Sequence, residues 1–147
     1  MASKRELIAQ DLVETLKNQQ TYRFGLVTRE PQSDIEGLAK TAFPCVVIES
    51  ASENRQDITQ GGPVILRSSE ADYSIRVYVL AGKKDLDTKR NELIEAVEEL
   101  LDADRSRGNN AIDTELIGVE TDEIVNQPYA TMRLVVRVTY HYTRGQA

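Results

Sequence analysis

The sequence predicts an α+β domain in which two amphipathic helices pack on one mostly antiparallel sheet of five to six strands. Three features of the chain indicate this fold. The longest unbroken alternation of apolar and polar residues runs from Ala130 to Tyr142, as in a strand with one apolar and one polar face. Two other stretches repeat apolar residues at helical spacing. Several strands separate these helices in the chain, which favours an α+β domain over a doubly wound one.

Length, composition and charge limit the classes of protein to consider. The 147 residues fit one domain, residues 1–147, and 40% apolar with 29% charged residues is typical of a soluble globular protein. The net charge of −6 argues against a conventional nucleic-acid-binding domain, although it suits a protein that lets DNA pass without adhering. No apolar run approaches the ~20 residues of a membrane span, and no signal-peptide core follows the first residues, so a cytoplasmic protein is expected.

The first predicted elements are a helix and a strand. Ser3 and Glu6 form a capping-box pattern, after which apolar residues recur at helical spacing through about Gln19. The stretch Thr21–Val27 is rich in β-branched and aromatic residues. It predicts a strand with Gly25 as a weak point.

Two polar stretches flank the next predicted strand. Arg29–Thr41 contains a proline and a glycine and has no sustained period, so it predicts a loop of above-average length. The apolar run Phe43–Glu49 predicts a strand that is buried on both faces. Ser50–Gly62 is strongly polar and predicts a second loop.

A hairpin is predicted in the middle of the chain. Val64–Ser69 and Tyr73–Leu80 have strand composition, and the chain between them, near Glu70, Ala71 and Asp72, predicts a turn. The apolar residues of the second of these strands alternate like those of the C-terminal strand. The two strands are therefore expected to pair.

The second half of the chain begins with the second helix, about Asp85–Asp102. A turn-rich connection, Arg105–Asn110, leads to a strand over Ile112–Glu120, and Asp122–Pro128 leads into the long final strand. The predicted order of elements is α-β-β-β-β-α-β-β.

The sequence contains little that indicates chemistry. It has no Gly-rich phosphate loop, no nucleophile elbow and no His or Cys pair at metal-binding spacing, so neither a cofactor nor a metal is expected. His141 is the only histidine, and its place in a regular strand favours a polar surface residue over a catalytic one. Cys45 is the only cysteine, which excludes an internal disulfide and indicates a small buried side chain.

The charges of the second helix run against the helix dipole. Lys89 and Arg90 lie near its start, whereas acidic residues crowd its end. One hypothesis is that this acidic surface meets arginines of the polar sheet face on a neighbouring copy. The candidate interface residues are Glu92, Glu95, Glu99, Arg76, Arg133 and Arg137. The alternative is a solvated helix face, with Arg105 and Arg107 as local compensation.

The sequence resembles the tail terminator, or tail completion, proteins of long-tailed bacteriophages and the related head–tail joining proteins. The resemblance covers nearly the whole chain, and it is one of pattern rather than of an active-site signature. It is carried by Arg5-Glu-Leu-Ile, Phe43-Pro-Cys-Val-Val-Ile, Ile75-Arg-Val-Tyr-Val-Leu, Lys89-Arg-Asn-Glu-Leu-Ile-Glu-Ala-Val-Glu-Glu-Leu-Leu and Leu134-Val-Val-Arg-Val-Thr-Tyr-His-Tyr.

The resemblance implies a structural virion protein without catalytic activity. Proteins of this family form a ring, most often a hexamer, that stops polymerisation of the tail tube and presents a surface to the neck. The implied partners are further copies of the chain, the tail tube protein and the neck or head-completion protein, with DNA only passing through the channel and no membrane. The implied location is the head-proximal end of the tail, after assembly in the host cytoplasm.

The two predicted polar loops are the candidates for contact with tube or neck, because they are long enough to reach beyond the domain. Their candidate residues are Arg29, Gln32, Asp34, Lys40, Glu53, Arg55 and Asp57. A neck, connector or tail tube subunit is the nearest alternative. Two alternatives come from other classes: a dimeric α+β domain that binds a small molecule or regulates, and an enzyme that uses His141 with a carboxylate.

Overall fold

The computed structural model describes residues 3–19, 24–30, 43–59, 61–80, 86–121 and 129–144. They form a five-stranded sheet, in the order β1-β2-β3-β5-β4, with two helices. The β1–β2 pair is parallel and the other pairs are antiparallel, which confirms the predicted α+β fold class. The elements are α1 (Lys4–Lys17), β1 (Leu26–Thr28), β2 (Cys45–Asp57), β3 (Leu66–Leu80), α2 (Leu86–Asp102), β4 (Asp113–Thr121) and β5 (Tyr129–Thr143).

The helix α1 begins and ends with local hydrogen bonds, as its sequence predicts. The hydroxyl of Ser3 accepts a hydrogen bond from the backbone N–H of Glu6 at 3.2 Å, which satisfies one of the free amides of the first turn. At the other end, the backbone N–H of Asn18 donates to the carbonyl of Glu14. The buried stripe of α1 consists of Ile8, Ala9, Leu12 and Leu16.

The core lies between the two helices and one face of the sheet. On β3, Ile75 and Val77 are fully buried opposite Leu134 and Met132 of β5, which confirms the predicted pairing of these two strands. Burial of each such large side chain contributes roughly 1.5–3 kcal/mol. The helix α1 lies beside β1 and β2, and α2 lies beside β4 and β5. Below, the face toward the helices is called the apolar face and the opposite one the polar face.

The predicted turn near Glu70, Ala71 and Asp72 is wrong, because these residues lie inside the single strand β3. Three strands rather than four therefore lie between the helices. The polar composition of this segment reflects alternation: Ala71 is buried on the apolar face, whereas Glu70 and Asp72 lie on the polar face. Pairing with β2 on one side and β5 on the other keeps the backbone extended here.

The predicted loop Ser50–Gly62 is also wrong over most of its length, because β2 continues to Asp57. A bulge between Ser50 and Glu53 precedes a stretch paired with β3. The turn between β2 and β3 is thus shorter than predicted, residues 58–65. Similarly, β1 covers only the end of the predicted strand Thr21–Val27, and Thr21–Arg23 lie outside the described residues.

Candidate assembly surfaces

The polar face of the sheet brings together the three candidate arginines. The β3–β5 register places Arg76 opposite Arg133, Asp72 opposite Arg137 and Ser68 opposite His141. The strands β2 to β5 carry more acidic than basic residues on this face. They are Glu49, Glu70, Asp72, Asp113, Glu115 and Glu120 against Arg76, Arg133 and Arg137.

Arg137 is neutralised within its own chain. Its Nε and Nη2 donate to the two carboxylate oxygens of Asp72 at 2.9 and 3.2 Å, and Glu70 lies 3.8 Å from its Nη1. The hydrogen bonds from Asp72 raise the pKa of Arg137 further above its usual value. This fork-to-fork geometry fixes the guanidinium in the plane of the carboxylate. The polar face therefore holds Arg137 as part of an ion pair and not as an isolated cation.

Arg133 and Arg76 differ in their partners. Arg133 donates to the hydroxyl of Ser74 at 2.8 Å and to Glu120 at 3.3 Å. Arg76 is half-buried, and within the described residues it forms no ion pair. Of the three candidate arginines, Arg76 is thus the one with charge left for a partner outside the described part of the chain.

The acidic surface of α2 is exposed along its length. Its core stripe, Leu93, Val97 and Leu101, points to the sheet, and the opposite side carries the carboxylates. Among the described residues no salt bridge neutralises them, and the last turn contains no basic residue. The exposed acidic residues are Asp87, Glu92, Glu95, Glu98, Glu99 and Asp102. Because α2 and the candidate arginines lie on opposite sides of the sheet, a contact between them requires two copies of the chain.

The candidate loop residue Arg29 is held against α1. Its guanidinium donates to both carboxylate oxygens of Glu6, at 2.6 and 3.3 Å. These hydrogen bonds lower the pKa of Glu6 below its usual value. Both side chains are about 40% exposed, so the pair contributes at most about 1 kcal/mol. The other candidates of this loop, Gln32, Asp34 and Lys40, lie outside the described residues.

The candidate residues Glu53, Arg55 and Asp57 lie on strand β2 rather than on a loop. Glu53 accepts a hydrogen bond from the hydroxyl of Tyr140 at 3.0 Å and forms an ion pair with Arg55. The guanidinium of Arg55 lies over the ring of Tyr142, 5.0 Å from its centre. These contacts tie β2 to β5 across β3, so Glu53 and Arg55 stabilise the extended part of the sheet. Asp57 pairs with a β3 arginine at 2.9 Å.

Two groups of exposed apolar side chains were not predicted. Ile58 and Val64, 45% and 64% exposed, lie in the turn between β2 and β3. Ile112, Ile117 and Val119 lie on or beside the edge strand β4. Within the sequence, Ile58 is the single large apolar residue of a polar stretch, which is a weak signal that such a residue is not part of the core.

The described residues also contain side chains relevant to ligand binding. His141 lies half-buried on the polar face, and its backbone carbonyl accepts a hydrogen bond from Lys4 at 2.7 Å. A shallow polar depression of about 250 Å³ lies nearby, lined by Asn54, Arg55, Gln56, Ser68 and Glu70. In the described part of the chain no three potential ligands cluster as a metal site requires.

Comparison with known proteins adds no relative: the chain matches no protein-family model and no curated protein. None of the helices within the described residues is long and apolar enough to cross a membrane. The functional conclusion must therefore come from the surfaces described above.

Proposed function

We propose that this chain is a structural virion protein that assembles into a ring, most simply a hexamer, at the head-proximal end of a phage tail. In this role the ring caps the tail tube, ends its polymerisation and offers a surface to the neck. The proposed partners are further copies of the chain, the tail tube protein and the neck or head-completion protein. No catalytic step belongs to this role.

The charge of the polar face is the observation that supports this role most directly. Six acidic residues share the face with three arginines, and Arg133 and Arg137 are already paired with carboxylates of the same chain. A surface with surplus acid and paired arginines repels phosphate groups more than it binds them. A ring that turned this face toward its channel would let DNA pass without holding it.

The arrangement of the two layers is compatible with such a ring. Both helices cover the apolar face, which leaves the long strands β3 and β5 to present polar side chains on the other side. The acidic surface of α2 then lies away from the polar face, where it is available to a neighbouring protein. Since ring closure by rotation needs two different complementary patches on each copy, an asymmetric charge distribution suits this assembly.

The decisive experiment is to inactivate the gene in the phage or prophage genome that carries it and to image the particles by electron microscopy. We expect tails longer than those of the parent phage and filled heads without tails. A plasmid copy of the wild-type gene should restore attached tails of normal length. Attached tails of parental length after inactivation would refute the proposal.

A second measurement separates a terminator from a tube subunit. The mass of the purified protein is determined by light scattering over a range of protein concentrations. A terminator gives one closed species, alone or when tail tubes are added, whereas a tube subunit gives masses that increase with concentration. A stable dimer at every concentration would favour the ligand-binding or regulatory alternative.

A further inference from the structure

The exposed large apolar residues of the described chain form two separate patches. The tip patch consists of Ile58 and Val64 in the turn between β2 and β3. The edge patch consists of Ile112, Ile117 and Val119 on and beside β4. The strands β3 and β5 lie between the two patches in the sheet, so the patches are different surfaces of one subunit.

Backbone hydrogen bonds order the base of the tip patch. The N–H of Ile58 donates to the carbonyl of Leu66 at 2.8 Å, and the N–H of Leu66 donates to the hydroxyl of Thr59 at 3.0 Å. Gly61 and Gly62 have φ angles of 74° and 89°, which glycine adopts without strain. Ile58 and Val64 are thus presented to solvent by a structured turn, a position where apolar side chains gain stability only by contact with another molecule.

The edge patch lies on the last strand of the sheet. Within the described residues β4 pairs only with β5, and a bulge between Leu116 and Gly118 leaves Ile117 41% exposed. A bulge of this kind hinders the addition of another strand to the edge. A partner of this patch is therefore expected to contact its side chains rather than to extend the sheet.

The charges around the two patches are complementary. The segment Leu86–Thr121, which contains α2 and β4, has ten acidic and four basic residues and so accounts for the whole net charge of −6. The rest of the chain is balanced. Near the tip patch, Arg144 is exposed and donates its backbone N–H to the carbonyl of Ile65, and Arg5 and Arg55 share the single carboxylate of Glu53.

We propose that the tip patch of one copy packs against the edge patch of a second copy, with the arginines beside the tip facing the acidic segment around the edge. Because the patches differ, the contact is head-to-tail, and its repetition closes a ring if the rotation between copies allows. The choice of a second copy as the partner rests on the proposed function. The contact names the surfaces that would hold that ring together.

The test is cysteine cross-linking between differently substituted copies. Val64→Cys and Val119→Cys place one thiol in each patch, and Glu14→Cys on the exposed side of α1 is the control. The native Cys45 is fully buried, and burial raises its pKa, so it does not react with a short bis-maleimide. Circular dichroism of each variant establishes that it folds as the wild type does.

We expect a covalent dimer from the mixture of Val64→Cys and Val119→Cys, and none from either variant alone. The mixture of Val64→Cys with Glu14→Cys should also give none. A chain with both patch cysteines should give a ladder of bands that ends at the size of the ring.

Three outcomes would overturn the inference. Either patch variant cross-linking with itself would show a symmetric contact, and oligomers that give no cross-link in the mixture would show a contact through other surfaces. A protein that stays monomeric without cross-links up to its solubility limit would show that the patches do not bind each other. The outcome for the function is separate: rings with the expected cross-link but no effect on tails refute only the terminator role, and overlong tails without the cross-link refute only this contact.

Discussion

The guanidinium of Arg107 lies with its Nη1 3.0 Å from Oδ1 of Asp11, which joins the turn after α2 to α1. Arg107 is fully buried, and its Nη2 donates to the carbonyl of Leu101, in the last turn of α2, at 2.6 Å. A second carbonyl, that of Asp104, accepts from the same atom. The last turn of α2, which has no basic residue of its own, thus receives a cation from the following turn.

Replacement of Arg107 by methionine should destabilise the fold by about 3–5 kcal/mol, because it leaves Asp11 and two carbonyls without their buried partner. Burial lowers the pKa of Arg107, so the unfolded state gains from solvation of the cation, yet its partners cannot find a substitute in the folded state. The measurement is the free energy of unfolding from urea denaturation. Arg105→Ala is the matched control, since Arg105 forms an exposed pair with Asp113 and should cost at most about 1 kcal/mol. Equal losses in the two variants would show that Arg107 contributes no more than a surface residue.

Glu53 should matter more to stability than Asp57, although both are acidic residues of β2. The Glu53 side chain is 11% exposed and serves Tyr140, Arg55 and Arg5, whereas the Asp57 side chain is 50% exposed and has one arginine partner. Glu53→Gln should cost about 1–3 kcal/mol, because it leaves half-buried cations without a charge partner. Asp57→Asn should cost less than about 1 kcal/mol. Urea denaturation of both variants checks the difference, and a larger loss for Asp57→Asn would contradict it.

The fold should lose stability at high pH through Tyr73. Burial raises the pKa of Tyr73 to about 12, against about 10 in an unfolded chain. Between these values the native state keeps a proton that the unfolded state has released, so the free energy of unfolding falls as the pH rises. The contribution of Tyr73 is complete below about pH 10 and amounts to about 2–3 kcal/mol when the pH exceeds 12.

Tyr73→Phe should therefore make the stability less dependent on pH in this alkaline range. Its hydroxyl donates a 3.4 Å hydrogen bond to the carbonyl of Arg5, so a small loss at neutral pH is expected as well. The readout is the denaturation midpoint of wild type and variant measured at several alkaline pH values. Parallel curves for the two proteins would mean that another group causes the alkaline loss.

Charge reversal on α2 should weaken self-association without weakening the fold. Glu95 and Glu99 are a like-charge pair at i,i+4, so Glu95→Lys with Glu99→Lys removes repulsion and improves the match to the helix dipole by a few tenths of a kcal/mol. If this surface meets arginines of a neighbouring copy, the mass by light scattering should fall, and high salt should weaken the wild-type assembly likewise. Glu14→Lys on α1 is the control for net charge. An unchanged mass in the double variant would remove α2 from the interface.

The sequence alone identifies the elements whose side chains alternate with burial. In β5 and β3 the apolar residues recur every second position because one face packs under the helices, and α1 shows both its cap and its stripe. The far part of β2 could not be recognised, since it extends beyond the helices and carries polar residues on both faces. Its strand is specified by pairing with β3, a long-range property that local composition does not record.

The surfaces show the same division. Placement of the three arginines on one sheet face follows from strand parity, so it could be anticipated. The pairing of Arg137 with Asp72 depends on the register between two distant strands, and the burial of Arg107 depends on how a turn packs on α1. Neither has a local pattern in the sequence. The exposed patches likewise become visible only when the edge and the turn of the sheet are known.

Arg76 and Arg137 should respond in opposite ways to removal of their charge. Arg76 lies opposite Arg133, so Arg76→Ala removes a like-charge neighbour and should leave the stability unchanged or raise it by a few tenths of a kcal/mol. Arg137→Ala should cost about 1–2 kcal/mol, because it strips the largely buried carboxylate of Asp72 of both hydrogen bonds. If the unpaired charge of Arg76 binds a neighbouring copy, Arg76→Ala should also lower the mass of the assembly while the denaturation midpoint stays at the wild-type value. Light scattering and urea denaturation of the two variants check this, and a wild-type assembly in Arg76→Ala would exclude this arginine from the subunit contact.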